Sequence, residues 1–463
     1  MASWLYLFFA LVGAWLVYNA ASPSHQRKML VPSWLLAFLT TDLAFVHISI
    51  AAVVTALFGL GGALATMPGK IGLVLIVLSS LALVVLWLPN LKAARTYDAV
   101  ATEMGLDDVE RVPRHLVFTP FARGREDVEV VRNVEFYRTS GKSLKLDIYR
   151  PLAGADKRPA LVYLHGGGWI LGDKREQGIP LCNHLATLGW VCVNANYRLS
   201  PGATYPDHVV DAKAAVAWLR EHAADYGVDP DFIALAGGSA GGHIAAMTAL
   251  TPGDRSLQPG FGDRDASVQA VVTYYGVYDT TGQRGAMHED FLATYFGPLV
   301  IKAFPEEAPE KFVAASPRDH VDNVSMPWLV LQGDADTLTP VNGARDFVAA
   351  LREASDDVVA YAELPQAQHA FDIFYSPRAI AAVDLTSRFL VTQHRLAMDS
   401  PRKVARIGRT GRRHSLDCSI EPSIASRIAS RSKIIPRPVL TWTSTRVSST
   451  TMRPDTPLPD TRR

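Results

Sequence analysis

The sequence feature that most constrains the fold is a strand-to-helix junction near the middle of the chain. Residues 231–236 are a short, mostly apolar run that predicts a buried parallel strand, and residues 243–250 are compatible with a helix. The turn between them, residues 237–241, reads Gly-Gly-Ser-Ala-Gly. So sharp a turn strains its central residue, and the glycines remove side chains that would clash there. We therefore expect the Ser239 hydroxyl to be exposed in front of the helix N-terminus, although an ordinary βα turn has a similar composition.

A serine hydroxyl at such a turn is a poor nucleophile unless a base and an orienting acid accompany it. The candidate base is His369, in a loop between the last predicted strand and the last predicted helix. The candidate acid follows another predicted strand, where Asp334 and Asp336 are both available and one of them could instead cap the next helix. The chain order serine, aspartate, histidine is one of the known orders of a catalytic triad.

A glycine-rich loop could supply hydrogen-bond donors to the same site. Residues 165–169, which read His-Gly-Gly-Gly-Trp, directly follow the predicted strand at 159–164. Amides without neighbouring side chains can converge on one oxygen and stabilise an oxyanion. The candidate donors are the amides of Gly167, Gly168 and Ala240. A phosphate-binding loop is the alternative, but neither a Walker sequence nor Gly-x-Gly-x-x-Gly follows the strand.

Strand and helix patterns alternate over the central part of the chain. Runs typical of strands occur at residues 128–136, 144–148, 159–164, 190–197, 231–236, 270–275, 328–331 and 358–364, and helical patterns at 209–224, 342–351 and 377–390. The first two strands are expected to pair in an antiparallel hairpin. The alternation predicts an α/β domain over residues 126–395, with a mostly parallel sheet and helices on both faces. Residues 279–321 interrupt this rhythm and are either a lid or pocket wall, or an ordinary surface excursion.

Three apolar stretches precede this domain, at residues 3–19, 35–64 and 71–88. Each is long enough to cross a bilayer, so we expect a membrane domain of three transmembrane helices over residues 1–91. Residues 92–125 are expected to be a polar linker that contains a helix at 93–104. Asp42 and His47 interrupt the second stretch. We expect the second span to start after Asp42 and His47 to face the other helices, and we assign neither residue a role. A polar site inside the membrane is the alternative.

The orientation of these spans follows from the basic residues in the short connecting segments. Arg27 and Lys28 lie in the first loop, Lys70 lies in the second, and Lys92 and Arg95 follow the third stretch. Placing the N-terminus outside puts four of these five charges inside. The sequence therefore predicts a multi-pass membrane protein whose α/β domain lies on the cytoplasmic face.

The last segment, residues 396–463, differs in composition from everything before it. It contains 14 Lys and Arg against five Asp and Glu, whereas residues 1–395 contain 32 and 40. Without an apolar period it is expected to be a basic disordered tail, with membrane lipids as possible neighbours and no specific nucleic-acid partner. Cys182, Cys192 and Cys418 form no disulfide framework and no Cys-x-x-Cys pair, and His-Glu-x-x-His is absent. We expect neither a metal nor a cofactor.

The motifs together resemble those of α/β-hydrolases in the hormone-sensitive-lipase-like esterase group. The resemblance rests on the His-Gly-Gly-Gly-Trp loop, the Ser239 turn, the segment 197–201 (Tyr-Arg-Leu-Ser-Pro), the Asp336 loop and His369, and it covers roughly residues 126–395. It implies Asp336 rather than Asp334 as the acid. Gly238 departs from the pattern, because the lipase-like group usually has an acidic residue before the serine.

The resemblance also implies a function. It predicts a serine hydrolase that cleaves carboxylic esters through an acyl-enzyme, without a cofactor, on a small-molecule or lipid ester. An amidase, an arylformamidase or an acyltransferase of the same fold remains an alternative. So does a non-catalytic binding protein on a hydrolase scaffold.

Overall fold

In this computed structural model, the described part of the chain is residues 1–399 without residues 25, 27, 140, 155, 288 and 323. Its central element is one mixed sheet of eight strands. The strands are β1 (Val128–Thr139), β2 (Lys142–Pro151), β3 (Arg158–Leu164), β4 (Val191–Ala195), β5 (Val228–Gly238), β6 (Ala270–Tyr274), β7 (Trp328–Gly333) and β8 (Val359–Leu364). Their order in the sheet is β1-β2-β4-β3-β5-β6-β7-β8. The β1–β2 and β2–β4 pairs are antiparallel, and all pairs from β4 to β8 are parallel. The predicted α/β class and its mostly parallel sheet are confirmed.

Helices cover both faces of this sheet and also precede it. They are α1 (Ala2–Ala21), α2 (Leu30–Asp42), α3 (Ala44–Leu60), α4 (Met67–Glu103), α5 (Ile179–Thr187), α6 (Asp207–Glu221), α7 (Ala223–Tyr226), α8 (Ala240–Leu250), α9 (Glu289–Phe291), α10 (Pro309–Ala314), α11 (Val341–Ala354) and α12 (Pro377–Asp399). Successive side chains of a strand point to opposite faces. Val162 of β3 accordingly joins the core under α6, α8 and α11, whereas Leu161 joins the core under α5 and α12.

The N-terminal helices expose apolar side chains. Helices α1 and α4 are each long and apolar enough to cross a membrane, and α2 with α3 would make a third span if this bent pair counts as one. Large apolar side chains such as Phe8, Leu57 and Val85 are exposed on them. The helices could therefore be membrane spans, as the sequence suggests.

The apolar stretch at residues 35–64 forms parts of two helices, and the second of them begins at Ala44, in agreement with a span that starts after Asp42. The axis bends by 81° between α2 and α3. Asp42, to which the sequence assigned no role, ends α2 and forms a buried ion pair with Arg378 of α12 at 3.2 Å. Because a buried charge needs a partner, this ion pair holds α2 against the α/β domain.

The expected boundary at residue 91 does not interrupt the third helix. Helix α4 continues to Glu103, so the helix expected at 93–104 in the linker is the end of α4 itself. Ala93, Tyr97 and Ala101 recur at a spacing of four residues and are buried in the same core as side chains of α12. At the other end of the domain, α12 runs to Asp399. The predicted basic tail lies, from residue 400 onward, outside the described residues.

Candidate active site

Ser239 lies at the turn between β5 and α8, in a strained backbone conformation. Its φ is +56° and its ψ is −122°, which is uncommon for a residue with a side chain. A Cβ atom on Gly241 would lie 2.1 Å from the carbonyl oxygen of Leu164. Only glycine therefore lets α8 begin so close to β3. The Ser239 hydroxyl is partly exposed at the carboxyl end of β5, a central strand of the sheet.

His369 lies between Ser239 and Asp336 and is hydrogen-bonded to both. The Ser239 hydroxyl is 2.8 Å from Nε2 of the imidazole, and Nδ1 is 2.7 Å from Oδ2 of Asp336. A ring nitrogen that faces a carboxylate carries the proton, which leaves the other nitrogen to accept one. The structure thus brings together three side chains that lie far apart in the sequence.

The Asp336 carboxylate is held in a fixed orientation. It accepts hydrogen bonds from two backbone amides of the following turn, at 2.8 and 2.9 Å, and from the Thr339 hydroxyl at 2.9 Å. Asp334, the alternative acid, is exposed and accepts a hydrogen bond from the Gln366 amide at 2.5 Å. Of the two aspartates, Asp336 is the one that contacts His369.

The glycine-rich loop faces the same turn with free amides. The amide groups of Gly167, Gly168 and Ala240 find no acceptor among the described residues. The carbonyl of Gly168 accepts a hydrogen bond from the Tyr295 hydroxyl at 3.0 Å. Tyr295 belongs to the insertion 279–321, so this insertion contacts the loop, while its Phe296 and Phe312 are buried in the core.

Two further histidines near Ser239 have structural surroundings. Nδ1 of His165 lies 2.7 Å from the Gly166 carbonyl, and its ring stacks on Tyr197 at 4.4 Å. Nε2 of His243 lies 2.7 Å from the carbonyl of Ala315. Burial lowers the pKa of both imidazoles to about 4. Both rings are therefore neutral near neutral pH and brace the loops that they contact.

Tyr275 and Asp372 are neighbours of the site that the sequence analysis missed. The Tyr275 ring lies 4.5 Å from the His369 ring, and its hydroxyl donates to the buried Asp372 carboxylate, which also accepts from Tyr163 at 3.3 Å. Burial raises the pKa of Asp372. A Cβ on Gly238 would lie 2.9 Å from the Tyr275 hydroxyl oxygen. The glycine at position 238, where the lipase-like group usually has an acidic residue, was therefore the sequence signal that another side chain, that of Tyr275, occupies the space next to the serine.

Trp34 of α2 is a second missed neighbour. Its indole Nε1 donates to the His369 carbonyl at 3.1 Å, and the two rings meet edge to face at 5.7 Å. Next to it, Phe38 stacks on Phe374 of the same loop at 5.7 Å. In the sequence, Trp34 stands just before the apolar stretch at residues 35–64, and a contact across 335 positions leaves no local signal.

The described residues contain no group of three or more His, Cys, Asp or Glu side chains that could hold a metal ion. Cys182 and Cys192 are buried free thiols that pack in the core. The hydrogen-bonding groups around Ser239 are side chains and backbone amides of this protein. They can supply a nucleophile, a base and amide donors.

The sheet order, the parallel β3–β8 region and the strained serine turn at the end of β5 define the α/β-hydrolase fold. A solved structure described as a truncated form of carbohydrate esterase from gut microbiota shares this fold. The TM-score is 0.51 at 24% identity, with 59% of this chain and 99% of that chain covered.

The amino-acid sequence is similar to carboxylic ester hydrolases. Residues 146–351 match the family model described as BD-FAE. The probable carboxylic ester hydrolase LipM of Mycobacterium tuberculosis is 46% identical over 264 residues, which are 56% of this chain and 61% of the relative. Esterase LipQ of the same organism is 44% identical over 256 residues, 55% of this chain and 60% of the relative. The chain thus spans about three fifths of the length of these curated relatives.

Proposed function

We propose that this protein is a membrane-anchored serine hydrolase that cleaves carboxylic esters. The observation that carries the proposal is the hydrogen-bonded series Ser239–His369–Asp336 at the edge of the sheet. A serine at a strained turn, a base bonded to its hydroxyl and an acid bonded to the base meet the requirements of nucleophilic acyl transfer. The names of the similar proteins support an ester as the substrate.

In the proposed mechanism, His369 Nε2 takes the hydroxyl proton as Ser239 Oγ attacks the ester carbonyl. Asp336 holds the imidazole in the required tautomer and stabilises the imidazolium that forms. The amides of Gly167, Gly168 and Ala240 donate to the oxyanion, and one such donor is typically worth about 3–4 kcal/mol. His369 then protonates the leaving alcohol, and a water molecule, activated by the same imidazole, releases the acid. No step needs a cofactor.

We further propose that the substrate is a small-molecule or lipid-like ester that partitions into a bilayer. Helix α2 connects the apolar N-terminal helices to the site, because Trp34 contacts His369 while α3 and α4 expose apolar surface. A substrate dissolved in the bilayer would therefore have a short path to Ser239.

The proposed arrangement has the α/β domain on the cytoplasmic side and the N-terminus on the other side. Tyr6 at the start of α1 bonds Thr55 near the end of α3, whereas Asn19 at the end of α1 bonds Ser33 of α2, which lies at the α/β domain. The N-terminus is thus at the far end of the helices from the α/β domain. Protease protection of a tag at the N-terminus in intact cells tests this topology.

The decisive experiment compares p-nitrophenyl esters of increasing chain length with matched anilide and formyl-amide substrates, using the full-length protein. Labelling by a fluorophosphonate probe is measured in parallel. We expect ester turnover and probe labelling, both abolished in Ser239→Ala and both retained in Ser256→Ala, which changes an exposed serine. Ester rates no higher than amide rates would remove the esterase assignment. Labelling that survives Ser239→Ala would remove the nucleophile.

A further inference from the structure

A cavity of about 270 Å³ lies between α4, the turn at residues 114–118 and α12, and none of its lining residues belongs to the candidate active site. Its apolar walls include Trp87, Leu91, Val117, Phe118, Ile380 and Leu385. A cavity of this size could hold a small organic group or several water molecules.

Two polar side chains in the wall of this cavity have no partner in the described part of the protein. Asn90 and Tyr97 are 1% and 2% exposed. Neither the amide atoms of Asn90 nor the hydroxyl of Tyr97 forms a hydrogen bond. Because a buried polar group without a partner destabilises the fold, an occupant with hydrogen-bonding atoms would be favoured here.

The charged residues that line the cavity leave one cation uncompensated. Asp98 pairs with Arg111 at 2.9 Å and with Arg388 at 3.3 Å, and Asp384 lies 3.8 Å from Arg111. Arg114 lines the same cavity, is exposed, and forms no ion pair with any other described residue. Asp108 also pairs with Arg111 at 3.3 Å, so Arg114 is the arginine of the rim that remains available to an anionic group.

Along α4, the lining of the cavity changes from apolar to charged side chains. A membrane lipid changes in the same order, from its acyl chains to its headgroup. Trp87 at the end of the apolar stretch and Asp98 at the charged end are about 16 Å apart along the helix axis, at roughly 1.5 Å per residue. Asn90 and Tyr97 lie on the same stripe, separated by about 10 Å. Val84, one turn before Trp87, is exposed and continues the apolar surface toward the middle of α4.

We propose that this cavity binds the anionic headgroup and glycerol backbone of a glycerophospholipid taken from the bilayer. The phosphate lies at Arg114, the ester and glycerol oxygens bond Tyr97 and Asn90, and the acyl chains leave past Trp87 along α4. The site is separate from the proposed hydrolase chemistry. It rests only on the proposed membrane insertion of α4.

The test uses the full-length protein in phosphatidylcholine nanodiscs that contain a small fraction of phosphatidylglycerol with a diazirine attached to its headgroup. After irradiation, mass spectrometry maps the label. Lipid around any membrane helix labels the outer surface of α4, so the informative segments are residues 114–118 and 377–388. We expect label there, displaced by unlabelled phosphatidylglycerol but not by glycerol 3-phosphate. Displacement by glycerol 3-phosphate as well would overturn a lipid site in favour of a free-phosphate site.

Three variants sharpen the test. Arg114→Gln should lower the label at these segments about fivefold, and Tyr97→Phe about threefold. Arg95→Gln, which changes an exposed arginine on α4 outside the cavity, should leave it unchanged. Equal labelling by diazirine phosphatidylcholine, or no response to either cavity variant, would overturn the proposal. Resistance to alkaline carbonate extraction, measured on the cell membranes from which each variant is purified, reports separately whether α4 is inserted.

Discussion

The α/β domain and the N-terminal helices distribute apolar side chains in opposite ways. In the sheet, residues such as Leu161 are fully buried, whereas Leu57 of α3 and Val85 of α4 are more than half exposed. Polar side chains show the reverse arrangement in the helices, where Asn19 and Ser33 are buried and hydrogen-bonded to each other at 2.6 Å. The same physical rule, that apolar surface avoids water, explains both regions if the second one has lipid as its solvent.

The two regions meet at α2, which has properties of both. It belongs to the apolar N-terminal part by sequence, yet its Trp34 and Asp42 contact the His369 loop and Arg378 of α12. The comparison therefore teaches that the N-terminal helices do more than expose an apolar surface. One of them completes the packing around the proposed catalytic histidine.

The largest effect is expected inside the α/β domain, at the carboxylate of the proposed triad. Asp336→Asn should lower kcat by about 10⁴-fold, because the amide favours the wrong imidazole tautomer. The matched change Asp334→Asn should alter kcat by less than about threefold, since Asp334 is exposed and its carboxylate bonds the Gln366 amide and not the imidazole. Steady-state kinetics of the two variants measures the contrast, and similar losses at both positions would contradict the assignment.

The next effect concerns the stability of the α/β domain in acid. Burial lowers the pKa of His165, His184 and His243 to about 4 and that of His208 to about 3. The unfolded chain binds these protons first, from about pH 6.5 downward, so stability falls as the pH drops from there toward 4. Each group contributes up to about 1.4 kcal/mol per pH unit. Urea unfolding between pH 7.5 and 5 measures the slope.

Substitution of one buried histidine sharpens that measurement. His208→Asn should reduce the acid slope of the unfolding free energy, while His115→Asn, at an exposed position, should leave it as it is. A flat stability profile across this range in the unsubstituted protein would contradict the buried neutral state of these rings.

The junction of the two regions is expected to depend on the Asp42–Arg378 pair. Asp42→Asn should lower the free energy of unfolding by about 3 kcal/mol, because a buried arginine loses its charged partner. Asp107→Asn removes a more exposed pair with Arg395 and should cost no more than about 1 kcal/mol. Chemical unfolding in nanodiscs compares them, and equal losses would show that the junction does not rely on this pair.

A similar effect is expected on the exposed face of α4. Val77→Arg should lower the membrane-inserted fraction, since an arginine near the centre of a span costs about 2.5–3.5 kcal/mol on insertion scales. Leu152→Arg, at an exposed position directly after β2, should change stability by less than about 0.5 kcal/mol. Alkaline extraction of membranes gives the fraction. An unchanged membrane-inserted fraction in Val77→Arg would indicate that water, and not lipid, surrounds α4.

The smallest effect is expected where α2 contacts the active site. Trp34→Phe keeps an aromatic ring but removes the hydrogen bond to the His369 carbonyl, so kcat/KM should fall about two- to tenfold. The same change at Trp4, an exposed residue of α1, should have no effect on the kinetics. An unchanged kcat/KM in Trp34→Phe would restrict α2 to a packing role.

Much of the α/β domain could be predicted because its signals are local. Buried parallel strands are continuous apolar runs, and the glycines around Ser239 are required by a tight turn, so both are visible within a few residues. The α/β class follows from their alternation with helices. The N-terminal part was harder, because a hydropathy profile does not distinguish lipid from a protein surface as the neighbour of an apolar helix. The start of the second span after Asp42 was expected, but the 81° bend there and the continuation of α4 to Glu103 were missed for that reason.

By itself, the sequence determined the fold class and named Ser239, Asp336 and His369 as candidates, because strand periodicity and turn chemistry are properties of neighbouring residues. Only the tertiary structure decided what surrounds them: Tyr275 and Asp372 beside the imidazole, Trp34 on the carbonyl of its loop, and Arg378 paired with Asp42. These contacts join elements that are as much as 336 positions apart in the chain. They depend on how helices and strands pack in three dimensions, which leaves no trace in local composition.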